Sequence, residues 1–307
     1  MSRNKNVFLA LVTMVLWGSL FPMVKLAFSA YHLETTADIL FFAGVRFVIC
    51  GAFICMMSFI RDKASYKAAR SCIGPIFLSG VFSIVLHYGL SYLGLELTVS
   101  SKAALLKQVG ALFYVCFSFL FINDDKPNVK KLIAATIGFL GIFVLNFSDD
   151  GFALSLGDVL ILLSSFCTIF SNVISKKIFN NVDTITATGI SQLFGGILIF
   201  FIGAVMGGSL SFDLKSSCIM LYIITASIVS YCIWYGILKK GELSSLFIIK
   251  FTEPVFAAIF GAILLQEDIW NIKYLLAFIL VGAGIVISNV KFAKKKKLNF
   301  GLKHGFK

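Results

Sequence analysis

"SKAALLKQVGALFYVCFSFLFINDDKPNVKKLIAATIGFLGIFVLN", residues 101–146, recurs in diluted form further along the chain. Slid without a gap onto residues 244–289, an offset of 143, it matches at Ser101/Ser244, Lys107/Lys250, Phe113/Phe256, Phe117/Phe260, Asp125/Asp268 and Asn128/Asn271. The identities continue at Lys130/Lys273, Leu132/Leu275, Ala134/Ala277, Gly141/Gly284, Ile142/Ile285 and Asn146/Asn289. Upstream, "HYGL" (87–90) echoes "WYGI" (234–237), with a four-residue difference in the loop between. Residues 1–147 and 157–291 therefore read as two copies of one unit, followed by a basic tail at 292–307.

Composition names the solvent of that unit. Of 307 residues 59% are hydrophobic and 14% charged, with 33 phenylalanines, four prolines and a mean hydropathy of +0.94. Soluble domains carry about 25% charged residues, and no soluble core of this length could bury so much apolar surface. A bilayer core needs about 20 apolar residues per helix. On that scale the expectation is an all-α membrane protein of ten transmembrane helices, near 7–28, 39–60, 73–94, 99–121, 129–147, 157–176, 187–207, 217–237, 245–265 and 273–291. The first of these is long for a signal-peptide core and contains Pro22 and Lys25, so it is read as a span.

Basic residues orient the chain. With the N-terminus inside, 20 of the 27 lysines and arginines fall in cytoplasmic segments, and only Lys215 and Lys273 fall outside. By the positive-inside rule both termini are cytoplasmic, in the cell membrane. Five spans per unit is an odd number, so the second copy enters from the opposite side, giving two inverted five-helix repeats. The net charge of +12 sits mainly in short loops and the tail, beside the bilayer, which argues against nucleic acid. Seven cysteines, odd in number and without a CxxC pair, lie mostly in apolar segments and build neither a disulfide framework nor a metal site.

The chain resembles the EamA-type transporters of the drug/metabolite transporter superfamily in "WGSLFPMVK" (17–25), and in "TEPVFAAIFGAILLQED" (252–268) running into "LLAFILVGAGIVISN" (275–289). The first half carries a weaker copy, "GALFYVCFSFLFINDDKP" (110–127) then "IGFLGIFVLN" (137–146), with Ala111 where the second copy has Pro254. The resemblance covers essentially the whole chain. It implies a ten-helix inner-membrane carrier of small organic metabolites, often an exporter, with no cofactor.

Two charges stand out from the apolar background. Lys107 and Lys250 occupy matching places, each within roughly 4–8 Å of the midplane. A charge there costs at least ~2.5–3.5 kcal/mol on insertion scales, so a pseudo-symmetric pair points to a substrate site. Glu253, three residues after Lys250, shares its helix face and is the natural counter-charge. Its counterpart, Gly110, is uncharged, which leaves the centre one positive charge in excess. Lys107 then either awaits an anionic group of the substrate or reaches across to Glu253. An amino acid suits the first arrangement, its carboxylate on a lysine and its amine near Glu253. A cationic or drug-like compound bound through Glu253 is the alternative cargo.

Trp17, Tyr88, Tyr114 and Trp234 are candidates for an aromatic cavity wall, or for packing and lipid contact. Glu253 and His87 are the candidate proton carriers, with ordinary packing the other reading of His87. Pro22 and Pro254 can kink their helices, Pro254 beside Lys250. Arg46 cannot shed its proton and needs a partner, either Glu96, helix carbonyls or substrate. Lys25 and Lys102 lie near outer helix ends, where snorkelling explains them. No HExxH and no GxGD pair is present, and Ser91, four residues after His87, has no orienting acid on its face, so the chain is not an enzyme. The partners implied are a small-molecule substrate and the lipid bilayer, with monomer and homodimer both open.

Overall fold

The computed structural model describes residues 3–116, 129–148, 151–152, 154–238, 250 and 252–289. They are almost entirely helical. Helix α1 (Arg3–Ala30) leads to α2 (Thr36–Arg61) and a short α3 (Ala64–Ser71). A rod follows, made of α4 (Ile73–Gly80), a π-helical stretch (Val81–Leu86) and α5 (His87–Glu96). Then come α6 (Ser100–Cys116), α7 (Val129–Asn146), α8 (Leu156–Ile178), α9 (Thr184–Val205), α10 (Leu214–Leu238), α11 (Thr252–Leu265) and α12 (Ile272–Asn289). A two-residue antiparallel ladder pairs Phe147–Ser148 with Gly151–Phe152.

A described helix lies in each of the ten expected segments. Among the described residues six stretches are long and apolar enough to cross a bilayer, namely Phe8–Ala30, Thr36–Arg61, Ile73–Glu96, Leu156–Ser175, Thr184–Val205 and Leu214–Ile237. Two departures concern helix regularity. The loop expected after α2 contains α3, whose Ser65 and Ala69 are buried. The third rod, expected as one regular helix, carries the π turn immediately before His87 and Tyr88, and such a turn re-aims the side chains that follow it.

Helix starts follow local chemistry. Thr35 and Asp38 form a capping box on α2, as Ser155 and Asp158 do on α8, and Asp183 accepts from the Ile185 and Thr186 amides of α9. These caps satisfy amides that hydrocarbon would leave bare. Polarity is inverted relative to a soluble protein. Val205, Ile263 and Phe201 are 73%, 68% and 65% exposed, while Thr13, Ser79, Ser164, Thr186 and Ser230 are buried. That is the pattern of a bundle whose outer solvent is lipid.

Close packing runs through small residues. α2 lies along α9: a Cβ on Gly196 would stand 2.6 Å from the Val48 amide, and one on Gly189 would stand 2.9 Å from the Cys55 amide. α7 lies along α12 with Gly141 against the Ala277 carbonyl and Gly284 against the Ala134 carbonyl. α1 packs on α10 and α11, and α8 packs on α5 and α6. Pro22 sits within an unbroken α1, and Pro254 lies in α11.

Candidate functional site

Between these packed pairs lies a cavity of about 400 Å³. Its walls come from α1, α2, the π turn and α5, α6, α8, α9, α10, Lys250 and the start of α11. From its centre it reaches Phe179 and the exposed Asn180 just past the end of α8. Towards the opposite end its last wall residues, Val24, Tyr92 and Leu95, are buried.

The cavity gathers most of the residues singled out from the sequence. Lys107, Lys250, Glu253, His87, Trp17, Tyr88 and Trp234 all line it; the side chain of Tyr114 lies outside the described residues. The Lys107 ammonium stands 5.1 Å from the ring centre of Phe21 and 5.7 Å from that of Tyr88. Glu253 is buried. Among the described residues the ion pairs are Arg61–Asp183 and Lys102–Asp158, so neither lysine is joined to Glu253. The reading in which Lys107 closes the charge count on Glu253 is thus not the arrangement found. The aromatic faces give Lys107 part of the stabilisation that a carboxylate would otherwise supply.

His87 is held from its Nδ1 side, 2.8 Å from the Ser164 carbonyl oxygen and 2.9 Å from Thr168 Oγ1. A carbonyl can only accept, so this contact has Nδ1 carrying the proton and leaves Nε2 as the free nitrogen.

Arg46 is not paired with Glu96, which is exposed at the end of α5. Its side chain turns inward to line the cavity and donates to Ser227 Oγ on α10 at 2.6 Å. Among the described residues the centre therefore holds three cations, Arg46, Lys107 and Lys250, against one carboxylate, that of Glu253. Aromatic residues that sequence reasoning passed over complete the wall. Tyr231 and Tyr235 stack at 5.9 Å, Trp17 lies 5.8 Å from Tyr231 and 5.2 Å from Trp234, and the Tyr88 and Tyr231 hydroxyls share a hydrogen bond. Their spacing was a usable signal: 231, 234 and 235 fall on one helix face.

Polar contacts tie the Asp158 end together. Lys102 pairs with the fully buried Asp158 at 2.8 Å, which also accepts from Thr98 Oγ1 at 3.2 Å. Lys25 donates to the Thr98 carbonyl. The snorkelling expected of Lys25 and Lys102 is replaced by bonds within the bundle, because Asp158 and Thr98 lie within reach of their stems. The Glu267 carboxylate, just past α11, accepts the Ser100 and Ser101 amides at 2.6 and 3.0 Å and so caps α6. Removing both acceptors in Glu267→Ala costs about 1.5–3 kcal/mol of local closure, because charge-assisted bonds are lost. Amide hydrogen exchange at residues 100–103 is expected to quicken by about 10–100-fold. Unchanged exchange there would show that Glu267 does not hold this end shut.

The model of the EamA-like transporter family matches residues 4–147 and 155–290. The "Uncharacterized transporter YvbV" of Bacillus subtilis is 23% identical over 308 residues, covering 98% of this chain and 96% of the relative. The "S-adenosylmethionine/S-adenosylhomocysteine transporter" of Chlamydia muridarum is 21% identical, covering 91% of each chain. A chain of known crystal structure superposes with a TM-score of 0.68 at 16% identity, covering 94% of this chain and 97% of the other, a likeness of fold.

Proposed function

This chain belongs to the EamA-like transporter family, and on that premise we propose that it is a secondary carrier moving a small carboxylate-bearing metabolite by alternating access. The observation that carries the reading is the central cavity, where two lysines that pair with no carboxylate among the described residues face a buried glutamate between aromatic walls. The substrate's carboxylate would sit on Lys107 and Lys250, an amine near Glu253, and a flat or apolar remainder against Trp17, Tyr231 and Trp234. The Chlamydia relative's named solutes both end in an amino-acid group, which suits this division. The second reading, a cationic cargo held by Glu253, is opposed by the three cations around that carboxylate.

In this reading the described helices are ten spans in two inverted repeats with both ends of the chain in the cytoplasm. Packing supports the inverted repeat. Gly141 rests on the Ala277 carbonyl as its sequence partner Gly284 rests on that of Ala134. Likewise Gly18 abuts the Glu253 carbonyl, while Gly110, the counterpart of Glu253, abuts the Ser165 carbonyl. Helices that trade equivalent contacts can trade conformations, which is the basis of rocking carriers. In the same reading, which rests on the lysine count, the Asn180 end of the cavity faces the cytoplasm, so substrate would load from within, the sense of an exporter.

Counterflow into proteoliposomes tests the proposal. Labelled amino acids or other carboxylates are expected to accumulate saturably, driven by unlabelled substrate on the far side. Movement of organic cations alone, without carboxylates, would replace this reading with the Glu253 one.

A further inference from the structure

Arg46 is only 1% exposed, yet it lines the cavity. Its Nη2 donates to Ser227 Oγ, and that hydroxyl donates onward to the Ile223 carbonyl at 2.6 Å, so the serine oxygen is fixed as an acceptor. Its buried Nε–H has no hydrogen-bond partner among the described residues. Rings clasp the guanidinium, with Phe47, Tyr88 and Tyr92 centred 4.7, 5.3 and 5.7 Å from Cζ. No carboxylate among the described residues pairs with it. Arginine stays charged at any working pH, and one neutral hydroxyl cannot offset the desolvation of a guanidinium. Aromatic faces hold its plane but offer no acceptor in that plane to the buried Nε–H, and a guanidinium edge matches a planar carboxylate.

We propose that Arg46 is an anion-binding point in its own right, separate from the Lys107–Lys250 pair, and that the substrate is a dicarboxylate-type dianion spanning the two. The inference rests on the reading above, in which the lysines hold one carboxylate. Two features join the points. Arg46 and Lys107 both stand within 6 Å of the same Tyr88 ring, so one small solute can touch both. The three cations are also neutralised by Glu253 together with two further negative charges, whereas a monoanion leaves the buried site positive. The Tyr88–Tyr231 hydrogen bond holds the ring that both cations approach.

The test uses the purified full-length chain in detergent, with melting temperature followed against ligand concentration at matched ionic strength. The probes are succinate and glutarate as dicarboxylates, butyrate as a monocarboxylate, and chloride. The wild type is expected to bind a dicarboxylate about tenfold or more tightly than butyrate. Arg46→Lys keeps the charge but loses the fork, and is expected to erase that preference while leaving butyrate binding in place. Ser227→Ala, which leaves Arg46 present but unoriented, is expected to shift the preference the same way by a smaller factor, and serves if the arginine variant does not fold. A preference absent from the wild type, or retained in both variants, overturns the inference and leaves the lysine reading intact. Stabilisation by chloride equal to that by succinate overturns it as well, since a bare ion would then complete Arg46. If no carboxylate, butyrate included, stabilises the wild type, the lysine reading itself fails first.

Discussion

Lys107→Gln is expected to lose carboxylate transport by roughly 10–100-fold in kcat/KM, the cost of one charge-assisted contact to the substrate. The same variant is expected to melt no lower than the wild type without substrate, and higher if burial of the charge dominates. The reason is that Lys107 forms no ion pair among the described residues: its ammonium lies by the rings of Phe21 and Tyr88, Glu253 still shares the cavity with Lys250 and Arg46, and a neutral amide costs less in that setting. Stability and transport should therefore move independently. Counterflow and a thermal melt on the same preparation check both. A variant that transports normally would make Lys107 a structural residue and shift attention to Glu253. A variant that melts far lower and transports poorly would mean that the lysine holds the bundle together.

Gly196→Leu is expected to yield no folded carrier, and Gly196→Ala to lose about 1–3 kcal/mol. At this glycine α9 meets α2 backbone to backbone, and an added Cβ would stand 2.6 Å from both the Phe47 carbonyl carbon and the Val48 amide. Backbone cannot rotate away as a side chain would, so the helices must separate and forfeit the packing that holds them. Gly236→Ala on α10 is the control. A Cβ there meets nothing within 4 Å, and alanine is the better helix former, so its melting temperature should hold or rise slightly. Monodispersity in detergent and the melting temperature decide the outcome. A folded Gly196→Leu carrier would show that α2 and α9 are not so closely joined.

The membrane class, the family resemblance and the position of a helix in each expected segment were legible in the amino-acid order, because hydrocarbon demands long apolar helices whatever their neighbours. That Lys107, Lys250 and Glu253 are charges set among apolar residues was legible too, since a charge in an apolar span stands out without any knowledge of packing. What those charges face was not. In a bilayer the lipid side and the packed side of a helix are both apolar, so periodicity does not say which way Arg46 or Tyr231 points. Arg46 turned out to bind Ser227, 181 residues away, rather than Glu96, and Lys102 found Asp158 instead of the interface. Such pairings depend on which helices touch: α2 on α10 for the first, α6 on α8 for the second. The sequence by itself determined the helices and the charges placed among them; the tertiary structure alone decided which charges meet and which remain unpaired in a common cavity, because small residues far apart in the chain set how closely the helices approach.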